Sequence, residues 1–220
     1  MDYTTNSLRT ILFPAFSKLQ NDKEKFESAY FSVFNLSIFI GSLAAGILFF
    51  LSEEIILTLL GDKWQPSVLI FQILVFRLIT SPFGALINKS LLGRGYSKEA
   101  FQFAQIRRVI LLIPLYVGYL EGIYAFTIAL VIANFVGFII SIFTTHKFLN
   151  ISFKKQLSLF IVPLLPLLLL SPLYYYLLID FNAYLLAFFF VIIQMSYSYL
   201  LKSPGLKVTI AQIKAILNRK

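Results

Sequence analysis

The stretch IYAFTIALVIANFVGFIISIFTT, residues 123–145, runs for 23 residues without a charged side chain. A helix of about 20 apolar residues crosses the hydrocarbon core of a bilayer, so this stretch predicts a spanning helix. Five further apolar stretches of similar length flank it, at residues 31–51, 68–91, 101–120, 157–179 and 183–201. The chain is therefore predicted to be an all-α polytopic membrane protein with six transmembrane helices.

The polar breaks between these stretches alternate between basic and acidic along the chain. Fifteen of the 19 basic residues lie before the first stretch, between the second and third, between the fourth and fifth, and after the sixth. The other three breaks hold one base, Lys63, and the acidic residues Glu53, Glu54, Asp62, Glu121 and Asp180. Because basic loops stay in the cytoplasm, both termini are predicted to be cytoplasmic, in a multi-pass protein of the cytoplasmic (inner) membrane.

The composition excludes an ordinary soluble protein. Apolar residues make up 59% of the chain and charged residues 13%, against about 45–50% and about 25% in soluble domains. The formal net charge of +9 follows from the placement of the basic loops, so no nucleic-acid partner is predicted. With no cysteine and a single histidine, the chain offers no thiolate nucleophile and little scope for a metal site; no metal or cofactor is predicted.

Two segments outside the six stretches complete the predicted architecture. Residues 1–20 are partly apolar but too short to cross a bilayer, and they predict the end of a helix, an N-terminal stub. Residues 203–220 follow a helix break and place apolar residues at helical spacing among lysines and arginines. This pattern predicts an amphipathic helix on the cytoplasmic surface, anchored to anionic headgroups, with binding of a partner as the alternative. The membrane domain is thus assigned to residues 1–202.

Proline and glycine residues predict bends and turns. Pro82, Pro114 and Pro163 are expected to bend the second, third and fifth helices, because proline removes a backbone hydrogen bond. The sequence Gly-Arg-Gly at residues 93–95 predicts a tight turn before the third helix. Residues 53–60 predict a short amphipathic helix on the outer surface.

Three charges lie inside the apolar stretches away from their ends, and all three are arginines. Arg77 lies near mid-depth of the second stretch, and Arg107 and Arg108 lie about two turns inside the third. An intramembrane arginine costs at least ~2.5 kcal/mol on insertion scales, so it normally faces a protein interior or an aqueous cavity. The alternative is that these side chains snorkel to headgroups or cap carbonyls freed by proline. Asn134 and Gln194 are predicted to form hydrogen bonds between helices.

The arginines are candidate binding residues for an anion. Gln102, Gln105 and Arg108 share one helical face at spacings of three. The candidate contacts are Arg77, Arg107, Arg108 and Gln105. Unpaired guanidinium groups suit a polyanionic group such as a diphosphate. The stretches lack the buried carboxylates that a proton relay or metal-dependent diphosphate chemistry needs, so no catalytic site and no enzyme activity are predicted.

Three motifs carry a resemblance to a known family: LFPAFSKLQND at residues 12–22, LGDKW at residues 60–64 and LLGRG at residues 91–95. In this order and spacing they resemble landmarks of the polysaccharide-exporting branch of the multidrug/oligosaccharidyl-lipid/polysaccharide flippase superfamily. The resemblance covers residues 1–150, and it extends to the last two stretches by hydropathy only.

The resemblance implies a lipid-linked oligosaccharide flippase of polysaccharide or lipopolysaccharide biosynthesis, O-antigen included. In such a transporter, two lobes of helices surround a cationic cavity and alternate between inward and outward openings to carry an undecaprenyl-diphosphate glycan. Family members are much longer, so the resemblance implies that this chain is the C-terminal part, partnered by a missing N-terminal lobe or a second copy and by membrane lipids. The alternative is a non-transporting membrane scaffold or truncated remnant. An enzyme acting on prenyl phosphates is disfavoured by the missing acids.

Overall fold

The structure, a computed structural model, describes Pro14, residues 16–174 and residues 182–200. These residues form helices and no strands, which confirms the predicted all-α class. Short 3₁₀ helices lie at Asp62–Trp64 and Val162–Leu164. The α-helices, numbered in chain order, are α1 Lys23–Phe50, α2 Ser52–Leu60, α3 Ser67–Val75, α4 Arg77–Thr80, α5 Phe83–Gly93, α6 Ser97–Ile110, α7 Ile113–Glu121, α8 Ile123–Leu149, α9 Phe153–Ile161, α10 Leu165–Leu173 and α11 Ala183–Leu200.

Six helical segments of the described part are long and apolar enough to cross a membrane, in agreement with the predicted number. Most of their starts fall up to eight residues before the apolar stretches, because a helix begins at its capping residue and not at the edge of its apolar run. The six spans are Lys23–Phe50, Ser67–Gly93, Ser97–Glu121, Ile123–Leu149, Phe153–Pro172 and Ala183–Leu200.

The first span begins before its apolar stretch because Asp22 caps α1. Its Oδ1 accepts a hydrogen bond from the backbone N–H of Lys25 at 3.0 Å, and its Oδ2 lies 2.8 Å from Lys25 Nζ. A carboxylate at this position satisfies a backbone donor that the first helical turn leaves free. The hydrogen bond from the Lys25 side chain, with that from its backbone, lowers the pKa of the Asp22 carboxyl.

Proline interrupts three spans, as predicted. The second span is divided into α3, α4 and α5, and the second of its breaks falls at Ser81 and Pro82. The third span changes from α6 to α7 just before Pro114, and the fifth passes through the 3₁₀ helix that contains Pro163. Each proline lacks the N–H that the carbonyl four residues earlier would accept, so the helix cannot continue regularly there.

The predicted turn between the second and third spans is a Schellman motif centred on Gly95. Gly95 has a φ of 85°, a conformation that side chains with a Cβ rarely adopt. Its N–H donates to the Leu92 carbonyl, and the N–H of Tyr96 donates to the Leu91 carbonyl, at 3.1 and 3.0 Å. These are the two hydrogen bonds that define this helix ending. The turn thus ends α5 and leads directly into α6.

The predicted short helix is confirmed as α2. It ends at Gly61, which has a φ of 88° and donates its N–H to the Leu57 carbonyl at 2.9 Å. Its location on the outer membrane surface stays a prediction.

The chain divides into two compact units. Unit 1 consists of the described residues of Met1–Phe34 and Thr80–Ser158, and unit 2 of those of Asn35–Ile79 and Leu159–Lys220. Several predictions fall outside the described residues: residues 1–13 of the N-terminal stub, the acidic Asp180, and the amphipathic helix at 203–220. The assignment of residues 1–202 to one membrane domain therefore stays a prediction.

Three phenylalanines form the centre of unit 1. The ring centroids of Phe34 and Phe83 lie 4.7 Å apart, those of Phe83 and Phe138 4.9 Å, and those of Phe34 and Phe138 6.4 Å. All three side chains are buried. Tilted and edge-on aromatic contacts of this kind add to the stabilisation from burial, and here they hold α1, α5 and α8 together.

A buried polar network lies beside this cluster and was not predicted. Tyr30 Oη donates to Gln156 Oε1 at 2.8 Å, and Thr145 Oγ1 donates to the same oxygen at 3.0 Å. All three residues have no exposed surface. Two donors on one acceptor satisfy groups that would otherwise be costly to bury, and they tie α1, α8 and α9 together.

The two isolated polar residues of the spans behave differently. In unit 2, Gln194 Nε2 donates to Ser42 Oγ at 3.1 Å and to the Pro163 carbonyl at 2.9 Å, which confirms the predicted bond between helices. The same prediction for Asn134 is wrong, because its amide donates to the Leu130 carbonyl of its own helix at 2.7 Å. A short polar side chain can reach a carbonyl one turn earlier and then needs no neighbouring helix.

Glycine residues of α1 make close contacts in unit 2. A Cβ at Gly46 would overlap the ring of Phe190, which is itself buried. A Cβ at Gly41 would lie 3.0 Å from the Leu78 carbonyl oxygen. The Leu78 carbonyl also lacks its usual helical donor, because Pro82, four residues later, has no N–H. The small residues of the first span therefore permit close helix packing.

Candidate functional site

The candidate residues Gln105, Arg107 and Arg108 lie on α6 in unit 1. The Gly95 turn fixes where this helix starts and hence the depth of each residue along it. Consecutive helical residues point about 100° apart. Arg107 and Arg108 therefore occupy different environments, although they are neighbours in sequence.

Arg107 lies in a notch formed by glycines of two other helices. Its Nη1 occupies the position that a Cβ on Gly84 of α5 would take. Its Nε lies 3.5 Å from the corresponding position on Gly137 of α8. The guanidinium carbon is 5.8 Å from the centre of the Phe103 ring. We call this group the glycine notch: Gly84, Phe103, Arg107 and Gly137.

The residues of the glycine notch lie at similar depths along α5, α6 and α8. Gly84 is 9 residues from the end of α5, Arg107 is 10 residues from the start of α6, and Gly137 is 12 residues from the end of α8. At 1.5 Å per residue these separations are about 14–18 Å from the ends that adjoin the basic breaks. The side chain of Arg107 reaches Gly84 at nearly its own depth, so it does not extend to the basic end of its span.

The guanidinium of Arg107 is half-buried, and within the described part of the chain it makes no hydrogen bond or ion pair. Packing against glycine backbone and a phenylalanine ring holds it in place. The N–H donors of Arg107 that do not face the glycine backbone are consequently available to an acceptor that reaches the notch.

Arg108 and Gln105 form an exposed polar stripe on another face of α6. Arg108 Nη1 donates to Gln105 Oε1 at 3.3 Å. Arg108 is exposed, as is Gln102 six residues earlier, while Gln105 is half-buried. The predicted shared face is confirmed, and we call these three residues the polar stripe. Arg108 lies about 17 Å along the span, too deep to be an ordinary headgroup contact.

Arg77 belongs to unit 2, whereas the other three candidate residues belong to unit 1. It is the first residue of the four-residue helix α4, between the two breaks of the second span. The residue is half-buried, and its Nε is inaccessible to solvent. Its predicted role as an anion contact stays a prediction.

Sequence reasoning missed Gly84 and Gly137 as parts of the site. Neither glycine was predicted to contact an arginine. A signal was available, because both glycines lie at almost the depth of Arg107 once the turns between the spans are fixed. Depth alone, however, does not say which helices are neighbours.

The amino-acid sequence is similar to those of known proteins. Residues 1–69 match the model of a family described as polysaccharide biosynthesis protein. The chain thus resembles polysaccharide biosynthesis proteins. This confirms the resemblance predicted from the three motifs. No solved structure is significantly similar to it.

Two curated relatives extend the similarity beyond residue 69. The chain is 26% identical over 143 residues to the lipopolysaccharide biosynthesis protein WzxC of Escherichia coli (strain K12). It is 25% identical over 142 residues to an uncharacterized membrane protein in the cps region of Klebsiella pneumoniae. Each alignment covers 62% of this chain and 28% of the relative. The similarity to polysaccharide biosynthesis proteins therefore concerns well under half of each relative's length.

Proposed function

We propose that this polysaccharide biosynthesis relative acts as the C-terminal part of a flippase that moves an undecaprenyl-diphosphate glycan across the cytoplasmic membrane by alternating access. The activity is transport and not catalysis. The basic loops lie in the cytoplasm, and the lipid-linked oligosaccharide is the cargo. The polar stripe on the third span is the observation that carries this proposal.

The polar stripe is a poor surface for contact with lipid. Arg108 is exposed near the middle of the third span, where an arginine costs at least ~2.5 kcal/mol against hydrocarbon. Such a face is expected to meet other helices or a water-filled cavity. A guanidinium held beside a glutamine amide, without a carboxylate partner, favours an anionic group with several acceptor oxygens. A diphosphate is such a group.

Arg107 adds a second cation at nearly the same depth. Its fixed position in the glycine notch means that little side-chain entropy is lost when an anion binds. Arg77 is proposed as a further contact on the grounds of its depth. Carboxylates of the described spans lie within five residues of a span end, which leaves the interior charges positive.

Alternating access needs two lobes that move against each other. The alignment covers 28% of each relative, so we propose that further helices complete the cavity. They come from a longer polypeptide, a separate chain or a second copy of this one. These partners and the surrounding membrane lipids would cover the exposed faces of the third span.

The test uses the assembled transporter in a host that depends on it for surface polysaccharide. We expect Arg108→Ala to lower export about tenfold or more and to accumulate the lipid-linked precursor inside, because a hydrogen bond to a charged group contributes ~1.5–3 kcal/mol. Arg108→Lys should retain part of the export, since the charge remains and the bidentate geometry is lost. Arg77→Ala should have an effect at least as large.

The matched control is Lys154→Ala, which removes an exposed charge at the basic end of the fifth span. It should leave export unchanged. Normal export in both Arg108→Ala and Arg77→Ala, with normal membrane abundance, would refute the anionic-cavity proposal. A loss matched by a loss of folded protein would assign the arginines a structural role instead.

A further inference from the structure

A polar cleft lies at the basic end of unit 1, away from the glycine notch. It has a volume of about 190 Å³ and is enclosed by the segment before α1, the Gly95 turn and the residues that follow α8. This volume is smaller than the ~300–1,000 Å³ of pockets for drug-sized ligands. The cleft suits a small polar group and not a glycan chain.

The side chains of the cleft are cationic or neutral. Lys23 and Arg94 supply two positive charges, and Gln20, Asn21 and Asn150 supply amides. No carboxylate belongs to the lining of this cleft. The neighbouring acid, Asp22, is occupied by its contacts with Lys25 at 2.8 and 3.0 Å. A group bound here would meet donors and positive charge.

Arg94 is held rigidly at the cleft. Its Nη1 donates to the Gln20 carbonyl at 2.8 Å, and its guanidinium carbon lies 4.3 Å from the centre of the Phe26 ring. The Schellman turn fixes its backbone. Its remaining Nη hydrogens make no hydrogen bond within the described part of the chain. A guanidinium already oriented in this way loses little freedom when it binds an acceptor.

Two further donors around the same space are uncommitted. The ammonium of Lys23 and the side-chain amide of Asn150 form no hydrogen bond or ion pair with described residues. Asn150 adopts a left-handed conformation, with a φ of 54°, at the end of α8. Both side chains therefore keep donors that an acceptor entering the cleft could meet.

We propose that this cleft binds a phosphate group, from the headgroup of an anionic phospholipid or from free phosphate. Arginine and lysine are the side chains that bind phosphate oxygens best, and basic pockets between spans at this membrane level suit anionic headgroups. The site is separate from the polar stripe, and the proposal does not depend on the transport function proposed above.

The test uses the purified 220-residue protein and two variants of the cleft. Lys23→Gln removes a charge from an exposed side chain. Asn150→Gly removes the amide and keeps the left-handed backbone, which glycine adopts readily. Lys18→Gln is the control, because Lys18 is also exposed, lies in the same segment and does not line the cleft. If one cleft variant fails to fold, the other still decides the outcome.

Binding is measured in two arms. In the first, native mass spectrometry counts phosphatidylglycerol retained against phosphatidylcholine; in the second, equilibrium dialysis measures radiolabelled inorganic phosphate without anionic lipid. We expect each cleft variant to lose about fivefold in affinity and Lys18→Gln to bind normally. Loss in the first arm identifies a lipid headgroup, and loss in the second alone identifies free phosphate. Unchanged binding in both cleft variants, equal loss in the control, or no binding in either arm overturns the proposal.

Discussion

The first and third spans are both membrane helices, yet they differ in what surrounds them. Of the most apolar 18 residues of the first span, 56% are buried, against 11% in the third, and their mean hydropathies are 2.1 and 1.4. The first span packs glycines and phenylalanines against its neighbours. The third exposes Arg108 and Gln102 and buries almost nothing. The first span thus serves the packing of this chain, whereas the third leaves most of its surface exposed.

The largest expected effect concerns orientation, because the comparison assumes that both spans start on the same side of the membrane. The chain has no native cysteine, so introduced cysteines report cleanly. We expect cysteines at Asp62 and Glu121 to react with an impermeant thiol reagent applied to intact cells, and cysteines at Lys98 and Lys154 to stay unmodified. Reaction of the cysteines at Lys98 and Lys154 alone would show that the orientation is opposite to the predicted one.

A Gly46→Val substitution should destabilise the first span strongly. The new side chain would overlap the Phe190 ring, which is 1% exposed and has no free space to enter. Overpacking of this kind costs about 1–3 kcal/mol. Ile106→Val on the third span, at a residue that is 49% exposed, should change stability little. Thermal unfolding in detergent measures the stability of both variants. Similar losses of stability would show that the first span is not packed more tightly than the third.

Removing one tyrosine hydroxyl from each span compares the contributions of a buried and an exposed hydroxyl to stability. Tyr30→Phe in the first span deletes a buried hydrogen bond to Gln156 and should cost about 1 kcal/mol. The loss stays modest because Thr145 still donates to the same oxygen. Tyr119→Phe in the third span, at a residue that is 85% exposed, should fall within about 0.5 kcal/mol of the parent. An equal effect of both would mean that the network does not stabilise α1.

The smallest effect is the pH dependence at the start of the first span. Because its hydrogen bonds lower the pKa of Asp22, its contribution to stability is fully present above the ordinary value of about 3.9. That contribution is lost as the pH falls through the lower folded pKa. Asp22→Asn keeps a capping residue but should lose this part of the acid dependence. Melting temperatures between about pH 2 and pH 5 measure it.

Glu24→Gln is the control for Asp22→Asn, since Glu24 is an exposed acid two residues away that forms no ion pair with the described residues. It should leave the shape of the pH profile unchanged. If Asp22→Asn also leaves the profile unchanged, the Asp22 and Lys25 contact contributes nothing measurable.

The number of spans, their ends to within about eight residues and most of their interruptions could be predicted from the sequence. Each of these depends on chemistry that is local along the chain. A run of apolar residues must bury its backbone hydrogen bonds in a helix, Pro82 and Pro114 remove donors wherever they stand, and Gly95 adopts a backbone conformation that other residues avoid. The predicted polar stripe also follows from helical spacing alone.

The contacts of the individual polar side chains could not be predicted from the sequence, because they depend on how the helices pack. Gln194 bonds to a neighbouring helix and Asn134 to its own, although both are single amides in apolar surroundings. Arg107 enters a notch between glycines, and Arg108, one residue later, stays exposed. The reason is that hydropathy fixes depth along a span, while the rotation of each helix and the identity of its neighbours depend on packing between residues far apart in sequence.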